Sequence, residues 1–306
     1  MRIVLAVSAL LLLGACASSA EAQVEATSFA GAPLTRPVLP AEARATQETL
    51  LAEAEAVLAA NPADADAQIW VGRRLGYLGR YREAIAAFEA GAASHPQDAR
   101  FPRHIGHRLI TLRDLPGAIA QFERAAALTA NRPDEIEPDG LPNAAGVPTS
   151  TLKGNIYYHL GLAHYLSGDF AAAARGFAQA TALAANPDSA GASRYWLYLS
   201  LRRHGDAEAA SEAIAPVSAD WAIIEDHAYH RLALCFKGAW DCAALLNEAR
   251  AEAGLQSTTL AYGLAALEML EGRREEGLAL LREIDAAPDW ASFGHIAAEA
   301  DLARLR

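Results

Sequence analysis

Two histidine pairs at a three-residue step, His104/His107 and His227/His230, come nearest in this sequence to a metal site. On a helix that step puts two imidazoles on neighbouring faces, close enough to share a Zn²⁺. Neither pair has a third carboxylate or cysteine at ligand spacing, so the reading is core or inner-face histidines and no metal. Asp134, Glu135, Glu137 and Asp139 could approach a Ca²⁺, but they lack the spacing of a calcium loop and read as a solvated acidic loop. Cys235 and Cys242 flank a turn at Lys237-Gly238-Ala239. They are either a disulfide contributing about 2–3 kcal/mol in an oxidising compartment or two small buried hydrophobes in adjacent helices. A phosphate loop, a dinucleotide fingerprint, an H-E-x-x-H helix and a G-x-S-x-G elbow are all missing. No catalytic residue and no cofactor is expected.

The elements that position these residues begin after an address. Met1-Arg2 is followed by an apolar run from Ile3 to Leu13, too short to span a bilayer and suited to a signal peptide. Next comes Leu13-Gly14-Ala15-Cys16, which resembles the lipobox of bacterial lipoproteins. That resemblance implies cleavage after residue 15 and lipid (palmitate among it) on Cys16. Ala17, where an aspartate would resemble the inner-membrane retention signal, points to the outer membrane. An ordinary signal peptide cut at Ala15-Cys16-Ala17 is the alternative. Residues 16–40, with Pro33, Pro37 and Pro40 and no helical periodicity, read as the lipidated cysteine and a flexible tether. A 24-residue coil would reach about 25–30 Å.

Composition excludes several classes of fold and partner. Of 306 residues 73 are alanine and only Lys153 and Lys237 are lysine, with a net charge of −11. Alanine favours helix and is depleted in strands, so a sandwich or barrel is disfavoured. The acidic balance argues against nucleic acid, which needs a basic surface. Three cysteines cannot staple a disulfide scaffold.

A repeat organises the rest. Residues 71–96 read VGRRLGYLGRYREAIAAFEAGAASHP and residues 105–130 read IGHRLITLRDLPGAIAQFERAAALTA. Gly72 pairs with Gly106, Leu75 with Leu109, Ala84 with Ala118 and Phe88 with Phe122, each 34 residues apart. Gly161, Ala173 and Phe177 continue the pattern in a third unit. Turn pairs punctuate it at Gly79-Arg80, Arg113-Asp114, Gly168-Asp169, Gly205-Asp206 and Gly272-Arg273. This is similar to the tetratricopeptide repeat (TPR), in which small residues let two helices approach and an aromatic fills the adjoining gap. The resemblance implies an all-α, right-handed superhelical solenoid of about six helical hairpins with terminal capping helices. Residues 41–130 would hold the N-terminal capping helix and units one and two. Residues 131–152, a Pro-rich insertion, would be a hinge between blocks or a loop over the groove. Residues 153–306 would hold units three to six and an amphipathic C-terminal cap with Trp290, Phe293, Ile296 and Leu302.

In TPR proteins the first helix of each hairpin lines a concave channel. Carried onto this sequence, the groove residues are Ile69, Arg73 and Tyr77; Arg100, Arg103 and His107; Tyr158, Leu162 and Tyr165; and Tyr195, Arg202 and Arg203. Arginine forks and tyrosine rings suit carboxylates and peptide backbones. Ile69 and Arg73 stand where the carboxylate-clamp group carries lysine and asparagine, so capture of a free C-terminus is not expected. The implied function is a non-catalytic adaptor on the periplasmic face of the outer membrane, binding envelope proteins or peptides. It resembles the lipoproteins, typified by new lipoprotein I, that scaffold peptidoglycan hydrolases and proteases. The alternative is a structural subunit of an outer-membrane assembly or secretion complex.

Overall fold

The computed structural model describes residues 23–138, 142–251 and 254–306. Cys16 and the signal segment lie outside the described residues. Among the described residues, fourteen α-helices follow one short antiparallel hairpin, β1 (Val24–Thr27) with β2 (Pro33–Thr35). Helix α1 (Ala41–Ala60) precedes six helical hairpins. These are α2 (Ala65–Tyr77) with α3 (Tyr81–Ser94), α4 (Arg100–Thr111) with α5 (Leu115–Thr129), and α6 (Leu152–Ser167) with α7 (Phe170–Ala182). There follow α8 (Pro187–His204) with α9 (Ala207–Ile214), α10 (His227–Phe236) with α11 (Cys242–Ala251), and α12 (Leu255–Leu270) with α13 (Arg274–Asp285). Helix α14 (Phe293–Arg304) ends the chain.

The 34-residue pattern has its steric cause in view. A Cβ on Gly72 would sit 2.3 Å from Phe88, one on Gly106 2.8 Å from Phe122, and one on Gly161 3.0 Å from Phe177. In each of these units the first helix is hollowed where the second presents an aromatic ring. Aspartates begin several second helices: Asp114, Asp169 and Asp206 accept from backbone N–H groups three residues on. Glycines take the left-handed turn conformation at positions 79, 168, 205, 238 and 272. In the second hairpin that place is held by Arg113, at φ 68°. Unit two packs directly on unit three across the insertion, and one core runs from Ile110 through Phe122, Phe177 and Trp196 to Ile296.

Three expectations are corrected. The flexible tether is, from Gln23 onward, a docked hairpin. Lack of helical periodicity marked absence of helix, not absence of order. Glu25 is fully buried, and its carboxylate accepts from the backbone N–H of Tyr81 (3.1 Å) and of Arg82 (3.3 Å). It thereby caps α3, whose own N-cap residue, Arg80, makes no side-chain cap. Second, the acidic insertion is not merely solvated, because Glu137 is buried against Arg103. Third, α14, expected as an amphipathic C-terminal cap, is buried over most of its length. Residues 294–301 are all buried, and the helix lies against α6, α12 and α13.

Helix α14 also draws the ends of the chain together. Glu299 takes the guanidinium of Arg113 (2.6 and 3.1 Å) and the backbone N–H of Phe29. Arg113 donates to the Trp290 carbonyl at 2.8 Å, and the Trp290 indole donates to the Thr35 carbonyl at 2.8 Å. Trp290, Tyr81 and Ala26 form a small apolar cluster at this junction.

Candidate functional site

The first helices of the hairpins do line an inner face, but its two halves differ. Along units three to six α14 fills part of that space, lying against α6, α12 and α13. Leu162, Tyr165 and Tyr195 have no exposed surface. The Tyr262 hydroxyl donates to Asp301 (3.0 Å), and it lies 2.8 Å from the Tyr165 hydroxyl. Arg203 grips Asp301 with two bonds of 2.5 Å, and Arg304 donates to the Leu166 carbonyl at 2.7 Å. Burial opposes the charge on Asp301, yet Arg203 and Arg304 hold its carboxyl below the usual range. Arg202 is spent on Glu271 (2.8 Å) and Tyr198 (2.5 Å). Of these residues Arg203 is engaged by α14, Arg202 by α8 and by Glu271 at the end of α12, and Leu162, Tyr165 and Tyr195 are buried in the core.

Along units one to three the inner face stays open as a cavity of about 240 Å³ beneath the insertion. Arg73, Tyr77, Arg103, His107, Arg108 and Glu137 line it. Arg73 donates to the Pro138 carbonyl (2.7 Å) and to the Tyr77 hydroxyl (3.3 Å), with its guanidinium 4.6 Å from the Trp70 ring. Arg103 pairs with Glu137 at 3.1 Å, while its buried Nε has no partner. Arg108 stacks over Tyr81 at 5.4 Å and makes no ion pair among the described residues. Three guanidiniums thus share one lining carboxylate. Ile69 belongs to the core, and Arg100 lies outside this cavity, paired with Asp98 (2.6 Å) and Asp66 (2.5 Å).

The histidines do not form the pairs that their spacing suggests. His104 stacks on Phe88 at 5.0 Å, and His107 meets His159 at 4.6 Å. Burial, then neighbouring arginines, holds His104 and His107 well below the usual imidazole range. His159 is pushed down to about 3 by burial and then Arg103. His230 binds the Ser218 carbonyl at 2.8 Å. Asp285, His295 and Glu299 come together, but Glu299 already faces Arg113, whose charge opposes a cation there. Cys235 and Cys242 form a disulfide, with Cα atoms 5.3 Å apart.

A second, larger cavity of about 410 Å³ adjoins the first and shares His107, Ser150, Asn155 and His159 with it. It is walled by Tyr158, Tyr229 and Phe293 and contains Asp226. Sequence reasoning missed Arg108, Arg113, Glu25 and Asp226. Only Arg113 carried a signal, as the one non-glycine opening its turn pair in the aligned set.

No known protein family's profile matches the chain, and no curated protein matches it. Solved structures do. Cut9–Hcn1, a hetero-tetramer of the APC/C, is 14% identical over 83% of this chain and 46% of that one, with a TM-score of 0.50. YrrB, described as a TPR protein with an unusual peptide-binding site, is 16% identical over 80% of this chain and 95% of that one, at 0.43. The likeness to Cut9–Hcn1 shows the all-α repeat fold.

Proposed function

We propose that this chain is a non-catalytic adaptor, anchored through lipid on Cys16 to the periplasmic face of a bacterial outer membrane. It captures an envelope protein by an acidic segment seated on units one to three. The carrying observation is the open cavity in which Arg73, Arg103 and Arg108 face a single lining carboxylate, Glu137, in an otherwise acidic protein. A low-dielectric pocket with surplus guanidinium charge favours a carboxylate-bearing partner over a neutral one. The lipobox-like Leu13-Gly14-Ala15-Cys16 supports the anchor.

Capture from detergent-solubilised envelopes with mass spectrometry tests the reading. Arg73→Glu should lose the partner while leaving the fold intact, since Arg73 contacts a loop carbonyl, a tyrosine hydroxyl and the Trp70 ring and makes no ion pair among the described residues. Arg103 is unsuitable for reversal, because a second buried acid beside Glu137 would unfold the unit. Unchanged capture by Arg73→Glu would move the partner elsewhere. A hydrolase or protease among the captured proteins supports a scaffold; a β-barrel complex supports the assembly alternative. Cys16→Ser should release the protein from membranes, and continued membrane attachment would overturn the anchor.

A further inference from the structure

The larger cavity is a separate feature with a chemistry of its own. It sits where the N-terminal ends of α6, α8, α10, α12 and α14 converge, roofed by residues 149–151 of the insertion. Its volume of about 410 Å³ lies in the range of small-molecule sites. The walls are mostly aromatic and small apolar groups, with Ser189 and Ser193 supplying hydroxyls. Among the described residues no lysine or arginine lines it, and its two histidines, His107 and His159, are held neutral by burial.

That leaves Asp226 as the one acid in the lining, and its carboxyl receives no hydrogen bond among the described residues. The surrounding acids are each occupied. Asp188, fully buried on α8, accepts from the backbone N–H groups of Ile224, Glu225 and Asp226 at 2.8–3.1 Å. Glu225 is held by Thr149 and by Asn143 at 3.4 Å. From α12, Gln256 donates to the Glu225 carbonyl at 3.0 Å and accepts from the Ala228 N–H at 2.9 Å. On the far wall the Tyr158 hydroxyl accepts from the Trp196 indole at 2.9 Å. Tyr158 and Tyr229 are kept protonated by burial, Tyr229 with its pKa raised to about 12. Asp226 therefore faces two acids and two neutral phenols, and no counter-cation.

We infer that this cavity binds a small organic amine as its ammonium ion, with the Asp226 carboxylate as counter-ion and the rings of Tyr158, Tyr229 and Phe293 around its apolar body. A carboxylate without a cation, set among aromatic faces, offers an ammonium both an ion pair and cation–π contacts. A neutral ligand of equal shape would gain only the apolar contacts. This site does not depend on partner capture at the arginine cavity, and either can fail alone.

Phenethylamine and the neutral 2-phenylethanol, titrated calorimetrically into the purified full-length protein, test the proposal. The amine should bind and the alcohol bind at least tenfold more weakly. Asp226→Asn should weaken the amine at least tenfold and leave the alcohol unchanged. Burial, then Asp188 and Glu225, raises the Asp226 carboxyl to about 7, so amine affinity in the wild-type protein should fall about tenfold per pH unit below pH 7. That pH profile needs no variant, and it keeps the test open if Asp226→Asn does not fold. Equal binding of amine and alcohol, no binding of the amine, or a flat pH profile would overturn it.

Discussion

The two halves of the inner face are built from the same repeat and end in opposite states. In units one to three the arginines look into one open cavity beside residues 137 and 138 of the insertion. In units three to six most of the corresponding residues are buried or paired within the chain, and α14 supplies Asp301 to Arg203 and Tyr262. Groove-facing register and groove availability are therefore separate properties. A repeat sets which side chains point inward, while whatever the rest of the chain lays into the channel sets which of them a partner can reach.

The most direct challenge to this contrast is to loosen α14. Arg113 and Glu299 are both buried, and removing one partner of such a pair leaves the other charge uncompensated. Arg113→Ala should therefore cost about 3–5 kcal/mol by urea unfolding and raise hydrogen exchange in α14 above that in α6. Exchange unchanged in α14 would show that the helix is held by its apolar faces alone. The packing that both halves share comes next. Gly72→Leu and Gly161→Leu should each cost about 1–3 kcal/mol, the first more, because its Cβ overlaps Phe88 more deeply. An equal, small cost at both sites would mean that the helices separate freely.

Acid and base separate the two regions further. The histidines beside the arginine cavity are neutral when folded, so the stability they confer is present above the unfolded pKa near 6.5 and is lost as pH falls below it. Asp226 works in the opposite sense: its raised carboxyl penalises the fold increasingly as pH rises from about 4 to 7. Asp226→Asn should thus be near neutral at pH 4 and stabilise by about 4 kcal/mol at pH 8, read from urea midpoints. A variant effect independent of pH would refute the titration. The smallest effect is expected from Arg202→Ala, whose pair with Glu271 lies near the surface. It should cost about 0–1 kcal/mol, checked by thermal melts.

Much of the fold was legible in the residues. The 34-residue spacing of Gly72 with Gly106 and Phe88 with Phe122 is a packing rule that each unit satisfies locally, so it can be read without coordinates. The candidate site was legible in part. Arg73, Tyr77, Arg103 and His107 do share a cavity, because hairpin register alone points them inward. Tyr165 and Tyr195 are buried and Arg203 is paired, and no local pattern announces that α14 brings Asp301 to Arg203 from 98 residues away. Asp226 carried no sequence signal, since its isolation depends on what every neighbouring acid is already bound to. Glu25 sits in a stretch without helical periodicity, and only the N-terminus of α3 packed against it gives its carboxylate partners.

The residues alone specify an alanine-rich repeat of helical hairpins, an acidic surface and an inward row of arginines and tyrosines. These arise from contacts between residues close in the chain or one repeat apart. Tertiary packing was needed to dock β1–β2, to fill part of the groove with α14, and to hold Arg113 in a glycine's backbone conformation. Each of these rests on buried charges or polar groups meeting across about 50 to 270 positions. Such meetings lower the free energy only when the whole superhelix has closed around them, so no window of sequence contains them.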